Sequence, residues 1–132
     1  MSGQMNKKEA AFLDKHVVGR LATASKDLMP HVIPVVYAMD GDKVVVAVDY
    51  GTKKLRNLRA NPKAAVVVDD YEPNRAVLIQ GSCKILERGP EYLRLLKILF
   101  KKFDFYRENP WGEGESPILS ITPEKVVSWG RL

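Results

Sequence analysis

The sequence predicts a mainly β chain with helices, built as a six-stranded antiparallel β-barrel. Three observations lead there. Strand-like runs outnumber helical ones six to three, which favours an antiparallel sheet over a doubly wound parallel one. Tight turns such as Asp40, Gly41 and Asp42 join apolar runs at hairpin spacing. Short strands at this spacing close readily into a barrel, which removes exposed edges.

The elements follow in order. Residues 5–18 read as a helix, with Phe12, Leu13, His16 and Val17 on one face and Lys7, Lys8, Asp14 and Lys15 opposite. Residues 18–24 form a short strand, residues 25–29 a turn, and residues 30–39 a β-rich run. Pro34 in that run cannot donate to a ladder and points to an edge or a bulge. Residues 43–49 are β-branched and almost continuously apolar, as a buried strand is. Residues 52–60 read as a short helix opened by Gly51 and Thr52 and closed by Asn61 and Pro62. Residues 63–69 form another buried strand, and residues 75–87 a strand long enough to bend, with Gly81 at its bulge. Gly89 and Pro90 open the longest helix, residues 91–104, whose Tyr92, Leu95, Leu96, Leu99 and Phe103 repeat at helical spacing. A polar loop follows, then a last strand over residues 118–129.

With 132 residues the chain suits one domain spanning 1–132 around one core. A hydrophobic share of 45% beside 28% charged residues excludes a disordered chain. The single cysteine, Cys83, excludes an intramolecular disulfide. The polar N-terminus offers no signal core, and no apolar run approaches the ~20 residues of a membrane helix. A soluble cytoplasmic protein is expected, with no membrane partner. The net charge of +5 favours an anionic partner: nucleic acid, an acidic surface or a phosphorylated small molecule.

The positions of the charges narrow that choice. From Asp49 to Arg59 a strand ends, a glycine permits a tight turn, and a helix opens with Thr52, Lys53 and Lys54, followed by Arg56. A helix N-terminus presents unpaired amides and a partial positive charge that suit a phosphate. Cations in the first turn oppose the helix dipole at a few tenths of a kcal/mol each, so an anion there would offset them. The competing reading is a solvated basic helix with Thr52 as an ordinary cap. The glycine spacing of a Walker loop is absent.

The stretch from Gly51 to Pro62 (GTKKLRNLRANP), after the hairpin 30–42 (PHVIPVVYAMDGD), resembles the pyridoxamine-5′-phosphate-oxidase-related family of flavin-binding split β-barrels. Residues 19–23 (GRLAT), 66–70 (VVVDD) and 126–129 (VVSW) are similar to it too, especially to its deazaflavin-dependent members. The likeness covers roughly residues 16–130. It implies a homodimer of six-stranded split barrels with a flavin at each subunit interface. Thr52, Lys53 and Lys54 match the residues that grip the cofactor phosphate, with Arg56 and Asn57 close by. Arg20, Leu21, Ala22 and Thr23 fall on the strand that approaches ring and tail. His31, Ile33 and Pro34, within the segment 31–35, fall beside the ring edge, and Val48 and Trp129 match positions near the cofactor. Where the oxidases place a glutamine for the flavin, this chain has Ala76 after Arg75. It also lacks their C-terminal substrate-binding extension. Both departures tell against oxidation of pyridoxamine phosphate itself.

Other constellations are weaker. Two histidines and one cysteine do not supply four good zinc ligands, so no metal is expected. His16 reads as a packing residue, Cys83 as buried, and Asp69 with Asp70 as solvated acids. The basic residues of helix 91–104 lack interleaved aromatics on their polar face, so no nucleic-acid partner is expected. Trp111 either caps the core or shields the site.

The combined reading is a flavin-dependent oxidoreductase that binds FMN and an unidentified small-molecule substrate. The deazaflavin F420 is the alternative cofactor, since the same lysines would meet its phosphate. No catalytic side chain stands out, because a flavin exchanges hydride without a protein nucleophile. The rivals are a non-catalytic flavin store or sensor and a basic nucleic-acid-binding barrel.

Overall fold

In the computed structural model, which describes residues 4–132, α1 spans Lys7–Lys15. The Glu9 amide donates to the Asn6 side chain, and the Asn6 amide donates to the Glu9 carboxylate, so two orphan donors are satisfied reciprocally. The helix buries Phe12 and Leu13 and stops at His16, whose backbone is already extended. The sequence expectation ran longer at both ends, because periodicity does not reveal a capping box at Asn6.

A hairpin of β1 (Val18–Ala24) and β2 (Pro30–Val36) follows, then one of β3 (Ala38–Asp40) and β4 (Lys43–Ala47). Gly41 turns the second hairpin at φ 61°, where a side chain would be strained. Helix α2 (Lys53–Ala60) leads to β5 (Lys63–Asp70) and β6 (Arg75–Leu86), and α3 (Pro90–Lys102) with α4 (Asp104–Glu108) leads to β7 (Ile118–Trp129).

The described residues hold seven strands rather than six, because the run 30–39 divides at Tyr37. That residue is fully buried; its amide donates to Val17 O at 3.1 Å and its hydroxyl to Leu13 O at 2.5 Å. These bonds hold the chain at a corner instead of letting it continue as one strand. The expected helix 91–104 likewise ends early, and Phe103 closes α3 while opening α4.

All pairings are antiparallel, in the order β2-β1-β5-β6-β7-β4-β3. The two edge strands, β2 and β3, are separated in sequence only by Tyr37, so the curled sheet brings its edges together there. Pro34 sits on the edge strand β2, as its missing donor requires. The register shifts between Gln80 and Gly81, the expected bulge. A Cβ at Gly81 would collide with the Thr122 backbone carbonyl, so this close approach needs glycine.

Burial divides into two clusters. One fills the barrel with Leu21, Val44, Val46, Val66, Ile79, Leu119 and Ile121, joined by Phe12 and Leu13 of α1. The other packs Tyr92, Leu95, Leu96 and Leu99 of α3 against Ala38, Val45 and Ile118. The unbroken apolar run of β4 follows, since Val44 and Val46 face one cluster and Val45 the other. On the outer face, Pro34, Arg20, Val67, Leu78 and Val127 align across five strands, beside a second row of Val32, Ala22, Ala65, Gln80 and Lys125. Val32 is 63% and Trp129 45% exposed there. No helix among the described residues is long and apolar enough to cross a membrane.

Candidate functional site

Helix α2 is short and held by one side: Leu55, Asn57 and Leu58 are buried and the other residues face outward. Gly51, at φ 79°, lets β4 turn into it. Thr52 occupies the N-cap position but does not cap. Its hydroxyl donates back to Asp49 O at 2.9 Å, and no side chain reaches the helix amides. The first helical bond runs from the Arg56 amide to Thr52 O at 3.1 Å. The amides of Lys53, Lys54 and Leu55 are therefore left without intrahelical acceptors.

No acid stands in the first turn, and neither lysine side chain makes an ion pair or hydrogen bond among the described residues. The turn after β1 lies alongside, for Lys53 helps to lower the Asp27 carboxyl, after the larger effect of the Ser25 hydroxyl. Arg56 is spent locally: its Nη1 donates to Gly51 O at 2.6 Å, fixing the turn that presents the lysines. The result is an uncapped, doubly cationic helix end, which is a ready anion cradle.

Behind this end, Asn57 is 2% exposed and its Nδ2 donates to Thr23 Oγ1 at 3.0 Å. Thr23 in turn lies opposite His31 in the β1–β2 register. His31 Nδ1 is buried with no hydrogen-bond partner, and such an orphan in a native fold calls for an explanation. Thr23, Asn57 and His31 thus lie together near the turn of the β1–β2 hairpin, and Lys53 and Lys54 open the helix that carries Asn57. This donor-rich group, with an unsatisfied ring nitrogen and no acid in the first helical turn, fits a phosphorylated flavin.

The other expected residues are more scattered. Arg20 points outward and pairs with Asp69 at 2.6 Å. Leu21 is wholly in the core, so only its backbone is available to a ligand. Ala22 and Thr23 line a cavity of about 390 Å3 shared with Asn61, Lys63, Gln80 and Glu124. Ile33 lies inward on β2 and Pro34 outward. Val48 is buried beside Lys54 in a second cavity. Trp129 lies at the opposite end of the outer face, opposite Ala76, with its indole N–H donating to Asn74 Oδ1 at 3.3 Å.

Sequence reasoning did not single out Gln80, which lines the first cavity beside the bulge. It also read Asp69 and Asp70 as solvated, whereas Asp70 accepts from His16 Nε2 at 2.9 Å and Arg75 Nε at 2.8 Å. His16, and then Arg75, hold that carboxyl below its usual range. Cys83 is half-buried, and burial pushes its thiol up to about 12, too high for a nucleophile. No group of three potential ligands capable of holding a metal occurs among the described residues.

Known proteins share this fold. The chain is 30% identical over 132 aligned residues to a 5a,11a-dehydrotetracycline/5a,11a-dehydrooxytetracycline reductase of Streptomyces rimosus, covering 93% of this chain and 81% of that one. An FAD-binding protein from Mesorhizobium loti superposes with a TM-score of 0.77 at 24% identity, over 95% of this chain and 94% of that one. An F420 reductase superposes with a TM-score of 0.70 at 23% identity, over 93% and 98%. These two likenesses show the fold, which is that of the split barrel. The family model for pyridoxamine 5′-phosphate oxidase matches residues 5–130. With that match spanning nearly the whole described chain, the protein belongs to the pyridoxamine 5′-phosphate oxidase family.

Proposed function

We propose that this protein is a flavin-dependent oxidoreductase that holds FMN by its phosphate at Thr52, Lys53 and Lys54. The observation that carries the reading is the α2 N-terminus, where three amides lack intrahelical acceptors and two lysines make no ion pair, with no acid in the first turn. A phosphate offsets both the lysine charges and the helix dipole there, through charge-assisted hydrogen bonds. Asn57 and Thr23 fix the hairpin against the helix, and His31 Nδ1 is a ring nitrogen in need of a partner at the same end. When bound, the flavin supplies the hydride chemistry. The protein's own residues bind and orient it: the lysines anchor one end, while Arg20 to Thr23 and His31 to Pro34 flank the ring.

Two copies complete the site in this reading. The outer face presents Val32, Pro34, Val67, Leu78 and Val127 in register, a surface that a second barrel would cover. Trp129, remote from α2 in its own chain, would reach a flavin across that interface. A cytoplasmic location suits a chain whose one cysteine is kept as a thiol. The substrate is a small molecule of a class the lysine anchor does not specify.

F420 is the second reading, because its phosphate would meet the same helix end and a reductase of that cofactor shares the fold. Titration of the purified protein with FMN and F420, followed by cofactor fluorescence, separates these readings. Saturable binding of FMN at one site per chain is expected. Binding of F420 alone selects the second reading, and binding of neither overturns the phosphate site.

A further inference from the structure

A cavity of about 450 Å3 opens where α1, β3 and α3 meet, lined by Asp14, Ala38, Met39, Ile98, Lys101 and Lys102. That is within the usual range of small-molecule sites, roughly 300 to 1,000 Å3. None of these residues belongs to α2 or to the β1–β2 hairpin, so the cavity shares no wall with the phosphate anchor.

The corner at Tyr37 fixes its cationic wall. Lys102 Nζ lies 4.5 Å from the centroid of that buried ring and donates to His16 O at 2.7 Å. The Phe103 ring centroid is 5.6 Å from the same nitrogen. An ammonium carries three donors, yet His16 O is the one oxygen among the described residues that Lys102 reaches. No carboxylate among the described residues forms an ion pair with it. The side chain is half-buried, and loss of water lowers its ammonium below the ordinary lysine value, with Asp14 opposing that shift less strongly. A cation stripped of water and left without an anion is costly, and an entering anion offsets the cost.

Lysines in the last turn of a helix answer its dipole. That accounts for Lys101, which is exposed at the end of α3. It does not account for Lys102, whose side chain crosses to the end of α1 and lines the cavity.

The lining also sets the character of a ligand. Two lysines against one aspartate leave a single net positive charge, which matches one carboxylate. Asp14 and the carbonyl ends of α1 and α3 disfavour a second anionic group or a phosphate dianion. Ala38, Met39 and Ile98 present apolar side chains, and the flexible thioether of Met39 adapts to the shape laid against it.

We propose that this cavity binds an apolar monocarboxylate, with Lys102 holding the carboxylate and Ala38, Met39 and Ile98 receiving the hydrocarbon part. The site is independent of the flavin reading and stands or falls without it.

The test is a calorimetric titration of the full chain with octanoate and, in parallel, with 1-octanol. Octanoate is expected to saturate at one per chain. Octanol should bind at least about tenfold more weakly, the size of a hydrogen bond to a charged group. Lys102→Met, which keeps the apolar stem, should bring octanoate down to the affinity of octanol. Ile98→Trp, which fills the cavity and leaves Lys102 in place, should abolish binding of both. That variant and the octanol comparison keep the test decisive if Lys102→Met misfolds. Lys53→Ala/Lys54→Ala should bind octanoate as the native chain does. The proposal is overturned if octanoate does not saturate, binds no more tightly than octanol, or keeps its affinity in folded Lys102→Met or Ile98→Trp. Loss of octanoate binding in Lys53→Ala/Lys54→Ala overturns it too, by moving the carboxylate to the α2 end.

Discussion

Helices α1 and α2 start in opposite ways. The first is closed within the chain: Asn6 and Glu9 exchange bonds, and Glu9 also accepts from the Ser128 hydroxyl. The second has an N-cap threonine turned away, two lysines where the dipole favours acids, and no compensating carboxylate in the first turn. A helix end that is satisfied internally serves the fold. One that remains uncompensated at its own expense serves something outside the chain.

The largest expected effect lies at α2. Lys53→Ala/Lys54→Ala should weaken FMN by about a hundredfold, the loss of two charge-assisted contacts. The melting temperature should hold or rise slightly, because repulsion with the dipole is relieved. Undiminished affinity in a fluorescence titration would break the contrast at its centre.

Asn57→Ala sharpens it from inside the fold. The change leaves Thr23 Oγ1 without its donor in a buried place, at a cost of about 1–3 kcal/mol in urea unfolding. Ligand binding should weaken as well, since this bond seats the helix against the hairpin. At α1 only stability should respond: Asn6→Ala should cost about 1 kcal/mol with FMN affinity unchanged. A change in affinity there would mean that both helix ends take part in binding.

The smallest effect concerns pH. Asp70 has a folded pKa depressed by His16 and then Arg75. Its contribution is therefore complete above the unfolded carboxyl value, about 3.9, and is lost as pH falls toward the folded one. Thermal melts across that acid range should show a shallower decline for Asp70→Asn than for the native chain. Identical slopes would show that this half-buried ion pair adds nothing.

Much of this was legible in the residues. The bulge at Gly81 followed from a glycine within a long strand, and the edge position of Pro34 from its missing N–H. The stripe of α3 followed from its spacing. The break at Tyr37 was not legible, because the acceptors that hold it, Leu13 O in α1 and Val17 O in the connection after it, lie about twenty residues earlier in the chain. Arg56 read as a ligand contact, yet folds back on Gly51, a competition between partners that periodicity does not express.

The α2 end belongs to the sequence. Glycine, threonine and two lysines are adjacent, and a glycine's freedom, a helix dipole and fixed charges all act over a single turn. The cavity beside it belongs to the tertiary structure. Asp49, Tyr106 and Trp111 are brought together only when β4 pairs with β7 and α3 packs over Val45 and Ile118. Local order needs only neighbours in the chain, whereas a cavity needs walls whose separation is set by the packing of the whole barrel.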